Sequence, residues 1–251
     1  MCTLIILRRP EHDWPVVIGA NRDEMIDRPA KPPGRHWPDR VEVVAGLDLL
    51  AGGSWLGVND WGVTAAVLNR QGSLGPAAGL RSRGELVLEA LDHADAVDAA
   101  AALTDLDPLA YRSFNLIVAD NRDAFWLRHA AQGGGIEAHP LPDGLSVIAA
   151  GDLDELTTPR LALARPRFLA ATPPDPDRGD WAAWQDLLGD DAAPSGAPAE
   201  AALRFRTLGG YGTVSSSIIA LPAEPSPERG PIFRYAGWLP EPSQWREVGG
   251  D

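Results

Sequence analysis

The sequence predicts a layered α+β domain, because strand-like segments occur in two groups with a helical stretch between them. Segments typical of strands fill most of residues 3–70, helical periodicity covers residues 82–103, and strands return from residue 114. Short turns join neighbouring strands, which favours antiparallel pairing. The chain has 251 residues, of which 45% are hydrophobic, so it can bury a substantial core. The sequence has no internal repeat and no clear boundary, and we predict that residues 1–251 form a single domain.

The N-terminal segments predict an antiparallel sheet. Residues 3–7 form an apolar run typical of a buried strand, and residues 16–24 begin as a strand and end in polar residues. A hairpin-like connection joins these two segments. Residues 28–40 contain four prolines and are predicted to be a loop. Residues 41–70 predict three short strands, with a turn at residues 59–62.

The rest of the chain returns from helix to strand. Residues 82–103 have helical periodicity, with Ser82 as the N-cap and Glu85 placed to complete a capping box. Residues 158–203 predict a helical segment that loops rich in Pro, Gly and Asp interrupt. Further strands are predicted in a hairpin over residues 114–130 and at residues 144–151, 212–221 and 231–238.

Charge and cysteine content exclude several classes of protein. The net charge is −13 and the chain has no run of Lys and Arg, so we expect no binding to nucleic acid. A single cysteine excludes an internal disulfide framework and a cysteine-based zinc site. No apolar run approaches the ~20 residues of a membrane span, and the N-terminus lacks the features of a signal peptide. We therefore expect a cytoplasmic protein without stable membrane insertion.

Cys2 is the only cysteine and directly follows the initiator methionine. Methionine is usually removed when the second residue is small, which would leave a thiol and an α-amine on one residue. The amine has a reference pKa of about 7.7–8.0 and the thiol one of about 8.5, so the amine can accept the thiol proton near neutral pH. An N-terminal amine is an established activating base for a nucleophile. The alternative is a small residue that is buried and inert.

Polar residues at the ends of two predicted strands are candidates to complete a site around Cys2. A hairpin of the first two strands brings Asn21, Arg22 and Asp23 close to the thiol, and Asn21 and Asp23 share one strand face. Asn69 ends a buried strand, where its amide can donate to a developing oxyanion. The alternatives are a solvated turn for the first group and an Asn that caps its own loop for the second.

The third to fifth predicted strands supply two candidates for substrate contact. Trp55 lies in GGSWLGV, where glycines let a ligand approach and the indole can form an apolar wall, although a packed hairpin is the alternative. Asn59 lies at the following turn. His36, in the proline-rich segment, is expected to face solvent. The histidines are too scattered to predict a metal site.

Five stretches together resemble the NRDE family, the relatives of the transport and Golgi organisation protein 2. They occur in the expected order within the first 120 residues and read MCTLII, GANRDE, GGSWLGVND, SRGELV and FNLIVAD. The chain is also similar to the cysteine N-terminal nucleophile hydrolases, the group of bile salt hydrolase and penicillin V acylase. The resemblance implies a four-layer αββα sandwich. It further implies that Cys2 is the nucleophile with its α-amine as general base, that Asp23 orients the amine or thiol, and that Asn69 donates to the oxyanion.

The chain departs from both groups at three polar positions. The hydrolases have Arg at the position of Ala20, and Arg22 lies nearby in a different register. A second catalytic Asn of the hydrolases matches Ala150. An Arg that NRDE proteins carry late in the chain matches Val214.

The resemblance implies two alternative functions. The first is an amidohydrolase that cleaves linear C–N amide bonds of a small molecule and needs no metal or organic cofactor. The second is a non-enzymatic protein that binds or traffics haem, lipid or another apolar ligand, which the apolar residues at positions 150 and 214 favour. The oligomeric state is not indicated by the sequence.

Overall fold

The computed structural model describes residues 2–130, 134–226, 228–239 and 241–249. Its helices are α1 (Gly84–Leu91), α2 (Ala96–Thr104), α3 (Pro159–Ala170) and α4 (Ala182–Gly189). Its strands are β1 (Thr3–Arg8), β2 (Val16–Met25), β3 (Ala30–Gly34), β4 (Val43–Asp48), β5 (Leu56–Asn59), β6 (Thr64–Asn69), β7 (Phe114–Ala119), β8 (Ala124–His129), β9 (Glu137–Pro140), β10 (Gly144–Ile148), β11 (Tyr211–Leu221), β12 (Ile232–Gly237) and β13 (Arg246–Glu247).

The strands form two antiparallel sheets. One has the order β10-β1-β2-β11-β12-β13 and the other the order β3-β4-β5-β6-β7-β8-β9. The second sheet follows chain order because each strand pairs with the next along the sequence. The first sheet instead brings together the N-terminal hairpin, β10 and the C-terminal strands, which places residues that are distant in sequence beside Cys2.

Three apolar cores separate four layers. The middle core lies between the sheets, the second between the β3–β9 sheet and helices α1 and α2, and the third between the other sheet and helices α3 and α4. Side chains of strand β2 alternate between two of these cores. Val16 and Ile18 point into the middle core, whereas Val17 packs with Phe168 of α3 and Trp184 of α4. The predicted αββα sandwich is therefore confirmed.

Two predicted elements differ from the structure. The proline-rich segment contains a strand, because Lys31 and Gly34 pair with β4 while the two prolines between them fall in an irregularity of the register. The helical stretch at 82–103 divides into α1 and α2, because the Asp95 side chain caps a new helix by accepting from the backbone N–H of Asp98 at 2.8 Å.

The predicted capping box at the start of α1 is also wrong. The N-cap position belongs to Arg83, and the carboxylate of Glu85 pairs with Arg81 at 2.7 Å. Ser82 instead accepts a hydrogen bond from the backbone N–H of Gly84 at 3.2 Å. Strands β9 and β13 were not expected from the sequence, since their residues are exposed and lack an apolar alternation.

Candidate active site

A cavity of about 240 Å³ lies where the end of β2 meets the β4–β5 connection and the segment before α1. Five of the predicted site residues line it, namely Cys2, Arg22, Asp23, Trp55 and Asn69. Residues 75–77 and 80–84 form the opposite wall, with Arg112 beside them. The structure thus brings Cys2 together with residues of the stretches NRDE, GGSW and SRG in one concave site.

The Cys2 thiol lies half-buried against the backbone of β2. Its Sγ accepts from the N–H of Asp23 at 3.4 Å, and the S–H donates to the carbonyl of Asp23 at 3.6 Å. Burial raises the pKa of the thiol above its ordinary value, and the negative charge of Asp23 raises this pKa further. The expected removal of Met1 concerns a residue outside the described part of the chain.

The carboxylate of Asp23 is fully buried on the helix side of the sheet. It pairs with the guanidinium of Arg160 in α3 at 2.5 Å and accepts from the hydroxyl of Thr213 in β11 at 2.7 Å. Arg160 also donates to the carbonyl of Glu200 at 2.9 Å and to the hydroxyl of Thr3 at 3.3 Å. This network fixes the strand end on which the thiol rests.

Arg160 and Thr213 were missed as site residues by the sequence reasoning. Arg160 lies 137 residues from its partner in a helix without a motif, so no sequence signal indicated its role. Thr213 directly precedes Val214, the position at which the resemblance to NRDE proteins was compared, so the sequence carries a signal there.

Arg22 lies on the same face of β2 as Ala20, because side chains two residues apart in a strand point the same way. Arg22 therefore lies in a different register from Ala20, two residues further along β2, and lines the cavity. Its guanidinium stacks on the ring of Trp55 at 4.1 Å and is 9% exposed. Burial lowers its pKa.

Two glycines determine the position of Trp55. A Cβ on Gly46 would lie 2.3 Å from the Trp55 ring, so only glycine lets the indole cross β4. A Cβ on Gly53 would lie 2.4 Å from the backbone of Gly84, so glycine also allows the β4–β5 connection to contact the start of α1. The hydrogen bond from Ser54 N–H to the carbonyl of Gly84 at 2.9 Å locks this contact.

Asn69 ends β6 half-buried at the cavity wall. Its side chain makes no hydrogen bond to any residue that the structure describes, which leaves the amide N–H groups available to a ligand. The segment that contains Ala150 lies close by, because the backbone N–H of Gln71 donates to the carbonyl of Ala150 at 3.0 Å. The Ala150 side chain is buried and offers no donor. Val214 lies at a bulge of β11, between Thr213 and Ser215.

Asn21 and Asn59, the other two residues predicted to contact a substrate, do not line this cavity. The Asn21 amide donates to the carbonyls of Leu188 and Leu203 at 3.0 and 2.8 Å, and its oxygen accepts from Ser216 at 2.5 Å, so it fastens β2 to the helix layer. The Asn59 amide donates to the carbonyls of Leu91 and His93 at 2.9 and 2.7 Å, and its oxygen accepts from two backbone N–H groups of its own turn. Both side chains use their hydrogen-bonding capacity within the fold.

His36 is half-buried rather than fully exposed to solvent, and it contacts the carbonyl of Pro32 at 2.8 Å away from the cavity. Among the described residues, no group of three or more His, Cys, Asp or Glu side chains could hold a metal ion. None of the helices in the described segments combines the length and apolar character needed to cross a membrane.

Comparison with known sequences identifies a family match over the N-terminal part. The family model described as Transport and Golgi organisation 2 matches residues 1–155. The Transport and Golgi organization protein 2 homolog of Homo sapiens is 38% identical over 111 residues, and that of Bos taurus is 37% identical over 116 residues. Each match covers 42% of this chain and 38% of the relative, so the chain spans about two fifths of the curated relatives that it matches.

Solved structures with a similar fold are amide hydrolases. Penicillin V acylase from Agrobacterium tumefaciens has a TM-score of 0.62 at 14% identity, covering 98% of this chain and 86% of the acylase. A Caenorhabditis elegans N-acylethanolamine-hydrolyzing acid amidase ortholog has a TM-score of 0.59 at 14% identity, covering 90% and 94%. A variant of conjugated bile acid hydrolase from Clostridium perfringens has a TM-score of 0.56 at 12% identity, covering 98% and 92%. At such identities the likeness establishes a shared fold.

Proposed function

The chain belongs to the Transport and Golgi organisation 2 family, and from this premise we propose that it is a cysteine N-terminal nucleophile amidohydrolase for linear C–N amide bonds. One observation carries the proposal: the half-buried thiol of Cys2 and the unengaged amide of Asn69 line the same cavity. A nucleophile and an oxyanion donor are the two groups that acyl transfer requires most. The fold shared with the amide hydrolases supports the same reaction.

The proposed reaction begins after Met1 has been removed, when Cys2 carries a free α-amine. The amine takes the thiol proton, and the thiolate attacks the amide carbonyl to form a C–S bond. The Asn69 amide and a backbone N–H stabilise the tetrahedral oxyanion. Collapse breaks the C–N bond, and the leaving amine takes the proton from the Cys2 ammonium. Water then gives a proton to the same amine and attacks the thioester carbonyl. The C–S bond breaks, the thiolate takes the proton back from the ammonium, and the acid is released. A free thiol of this kind is suited to the reducing cytoplasm, where we place the protein.

The test combines mass spectrometry with a hydrolysis assay. Intact mass shows whether Met1 is absent, and the processed protein is then offered penicillin V, an N-acylethanolamine and a conjugated bile acid. We expect release of the amine from at least one amide and an acyl adduct on Cys2, both lost in Cys2→Ala. Retention of Met1 in protein made in its native host, or equal hydrolysis by Cys2→Ala, would refute the proposal.

The binding or trafficking of an apolar ligand such as haem or lipid is the second candidate function. Ala150 and Val214 favour it. By resemblance, Ala150 matches a catalytic Asn of the hydrolases, and Val214 matches an Arg of the NRDE proteins. Ala150 is also buried. Haem titration tests it, with a Soret shift expected in the wild type and lost in Cys2→Ala. His36→Ala is the matched control, since His36 does not line the cavity and its removal should leave the shift unchanged. A haem spectrum that Cys2→Ala leaves unchanged would count against this function.

A further inference from the structure

The cavity has a charge opposite to that of the whole chain. The net charge of the protein is −13, yet five arginines line the cavity beside Cys2, namely Arg22, Arg28, Arg81, Arg83 and Arg112, against the three carboxylates of Asp23, Glu24 and Asp48. An excess of one sign of charge in a cleft attracts ligands of the opposite sign. The question is which of these guanidinium groups are already neutralised by carboxylates.

Two of the five are paired within the protein. Arg28 contacts Asp48 at 2.7 Å and Glu24 at 3.6 Å. Arg81 contacts the carboxylates of Glu85 at 2.7 Å and of Glu89 at 3.3 Å, both in α1. These two cations are balanced by protein carboxylates and contribute little attraction to an entering anion.

Arg22 lies beside the thiol on the neighbouring strand. Thr3 pairs with Asn21 in an antiparallel register, and the next position sets Arg22 opposite Cys2. Its side chain is nine-tenths buried, but it makes no hydrogen bond to any residue in the described part of the chain. Its nearest carboxylate, that of Glu24, lies 3.9 Å away. A buried guanidinium has five N–H donors, and leaving them without acceptors is costly unless a ligand or water supplies them.

Arg83 and Arg112 form no ion pair with a carboxylate among the described residues, whereas Arg22 has the long contact with Glu24. Arg83 donates to Ser73 and to the carbonyl of Ser113, and Arg112 donates to carbonyls of the 72–75 turn. Both reach the carbonyl of Gly75, at 3.4 and 3.3 Å. Burial and the nearby charge of Arg112 lower the pKa of Arg83 to about 10, so it remains a cation at neutral pH.

We propose, resting on the amidohydrolase function above, that the amide substrate carries a carboxylate or phosphate group and that Arg22, with Arg83, binds this group. A guanidinium binds such oxyanions through two parallel N–H···O bonds, which satisfies the donors that Arg22 leaves open. The apolar surfaces of Trp55 and Val67 then contact the remainder of the substrate. The substrate class is therefore an anionic amide.

The test compares two alkylating reagents of similar size on the same thiol. Iodoacetate carries a carboxylate and iodoacetamide does not, so the ratio of their rates with Cys2 measures anion recognition and cancels changes in thiol pKa. We expect the ratio in the wild type to exceed that of N-acetylcysteine by about tenfold. Arg22→Gln should remove this excess, and Arg22→Lys, which keeps the charge, should retain part of it. Arg81→Gln is the matched control, because its charge is already paired.

Further experiments identify the anion and distinguish the anion-site proposal from the amidohydrolase proposal. Acetate and inorganic phosphate are compared as competitors of iodoacetate, and the stronger competitor identifies the group. If the thiol reacts too slowly, calorimetric titration with octanoate and octanamide replaces alkylation, and we expect octanoate alone to bind, with its binding lost in Arg22→Gln. An equal ratio in the wild type and Arg22→Gln, or equal binding of both ligands or of neither, overturns the anion site. A preference for iodoacetate without amide hydrolysis would refute the amidohydrolase proposal and leave the anion-site proposal intact. Amide hydrolysis without a preference for iodoacetate would refute the anion-site proposal and leave the amidohydrolase proposal intact.

Discussion

Removal of one partner of the Asp23–Arg160 ion pair is predicted to destabilise the protein strongly. The Asp23 carboxylate is fully buried and the Arg160 side chain is 7% exposed, so water contributes little to the solvation of either charge. Asp23→Asn keeps the shape and the hydrogen bond from Thr213 but removes the negative charge that pairs with Arg160. Arg160→Met keeps the apolar stem and removes the positive charge that pairs with Asp23.

The size of the effect follows from the geometry. Charges roughly 4 Å apart interact by about 4 kcal/mol at an effective dielectric constant of about 20. Breaking a buried pair by removing one partner costs about 3–5 kcal/mol in the free energy of unfolding. Because both single variants lose the same interaction, the double variant should cost less than the sum of the two, with a coupling energy of about 0.5–3 kcal/mol.

Urea unfolding at pH 7, followed by tryptophan fluorescence, measures these free energies. Arg167→Met is the matched control, because Arg167 lies in the same helix and pairs with Asp190 at 2.6 Å, but the two side chains are 33% and 23% exposed. Its loss should cost less than about 1 kcal/mol. The reasoning fails if Arg160→Met costs no more than this control, or if the double-variant cycle is additive.

Three further predictions concern the cavity, and a fourth concerns the turn at Asn59. In protein that still carries its N-terminal residue, the alkylation rate of Cys2 should continue to rise with pH above the pH at which half of N-acetylcysteine is ionised. The reason is that a raised pKa keeps the Cys2 thiol protonated until higher pH. Gly46→Ala should lower the free energy of unfolding by about 1–3 kcal/mol, measured in urea, since its Cβ would lie 2.3 Å from Trp55. Asn69→Ala should reduce kcat/KM by about 10²–10³-fold with an unchanged Tm. Asn59→Ala should instead lower the Tm, because its amide joins the turn to α1.

The sequence predicted the parts of the site that depend on local patterns. The β1–β2 hairpin follows from two apolar runs joined by a short connection, and this hairpin alone places Asp23 against Cys2. Asn69 was located because a buried strand ends there. The sequence could not distinguish an asparagine that lines the cavity, such as Asn69, from asparagines bonded within the fold, since Asn21 and Asn59 also follow apolar strand residues. Only their partners on distant carbonyls show that they stabilise the fold.

The long-range parts of the site could not be predicted because they depend on the layer packing. Arg160 reaches Asp23 only after α3 has packed on the first sheet, and no spacing in the sequence encodes that contact. The division of the helical stretch into α1 and α2 was also not predicted. The apolar periodicity continues through residues 82–103, but the Asp95 side chain caps a new helix within it.

The exchange of polar groups around the thiol points to a change in what the cavity recognises. The resemblance to the hydrolases sets Ala20 and Ala150 at positions of an Arg and an Asn, and Arg22 lies on the same strand face as Ala20, about 6.8 Å further along β2 at about 3.4 Å a residue. The Arg22 guanidinium stacks on Trp55 at the cavity wall, 4.1 Å from the ring centroid. It makes no hydrogen bond to the described residues, and its carboxylate partner, Glu24, lies 3.9 Å away. A guanidinium placed in this way favours the binding of an anionic ligand beside the thiol.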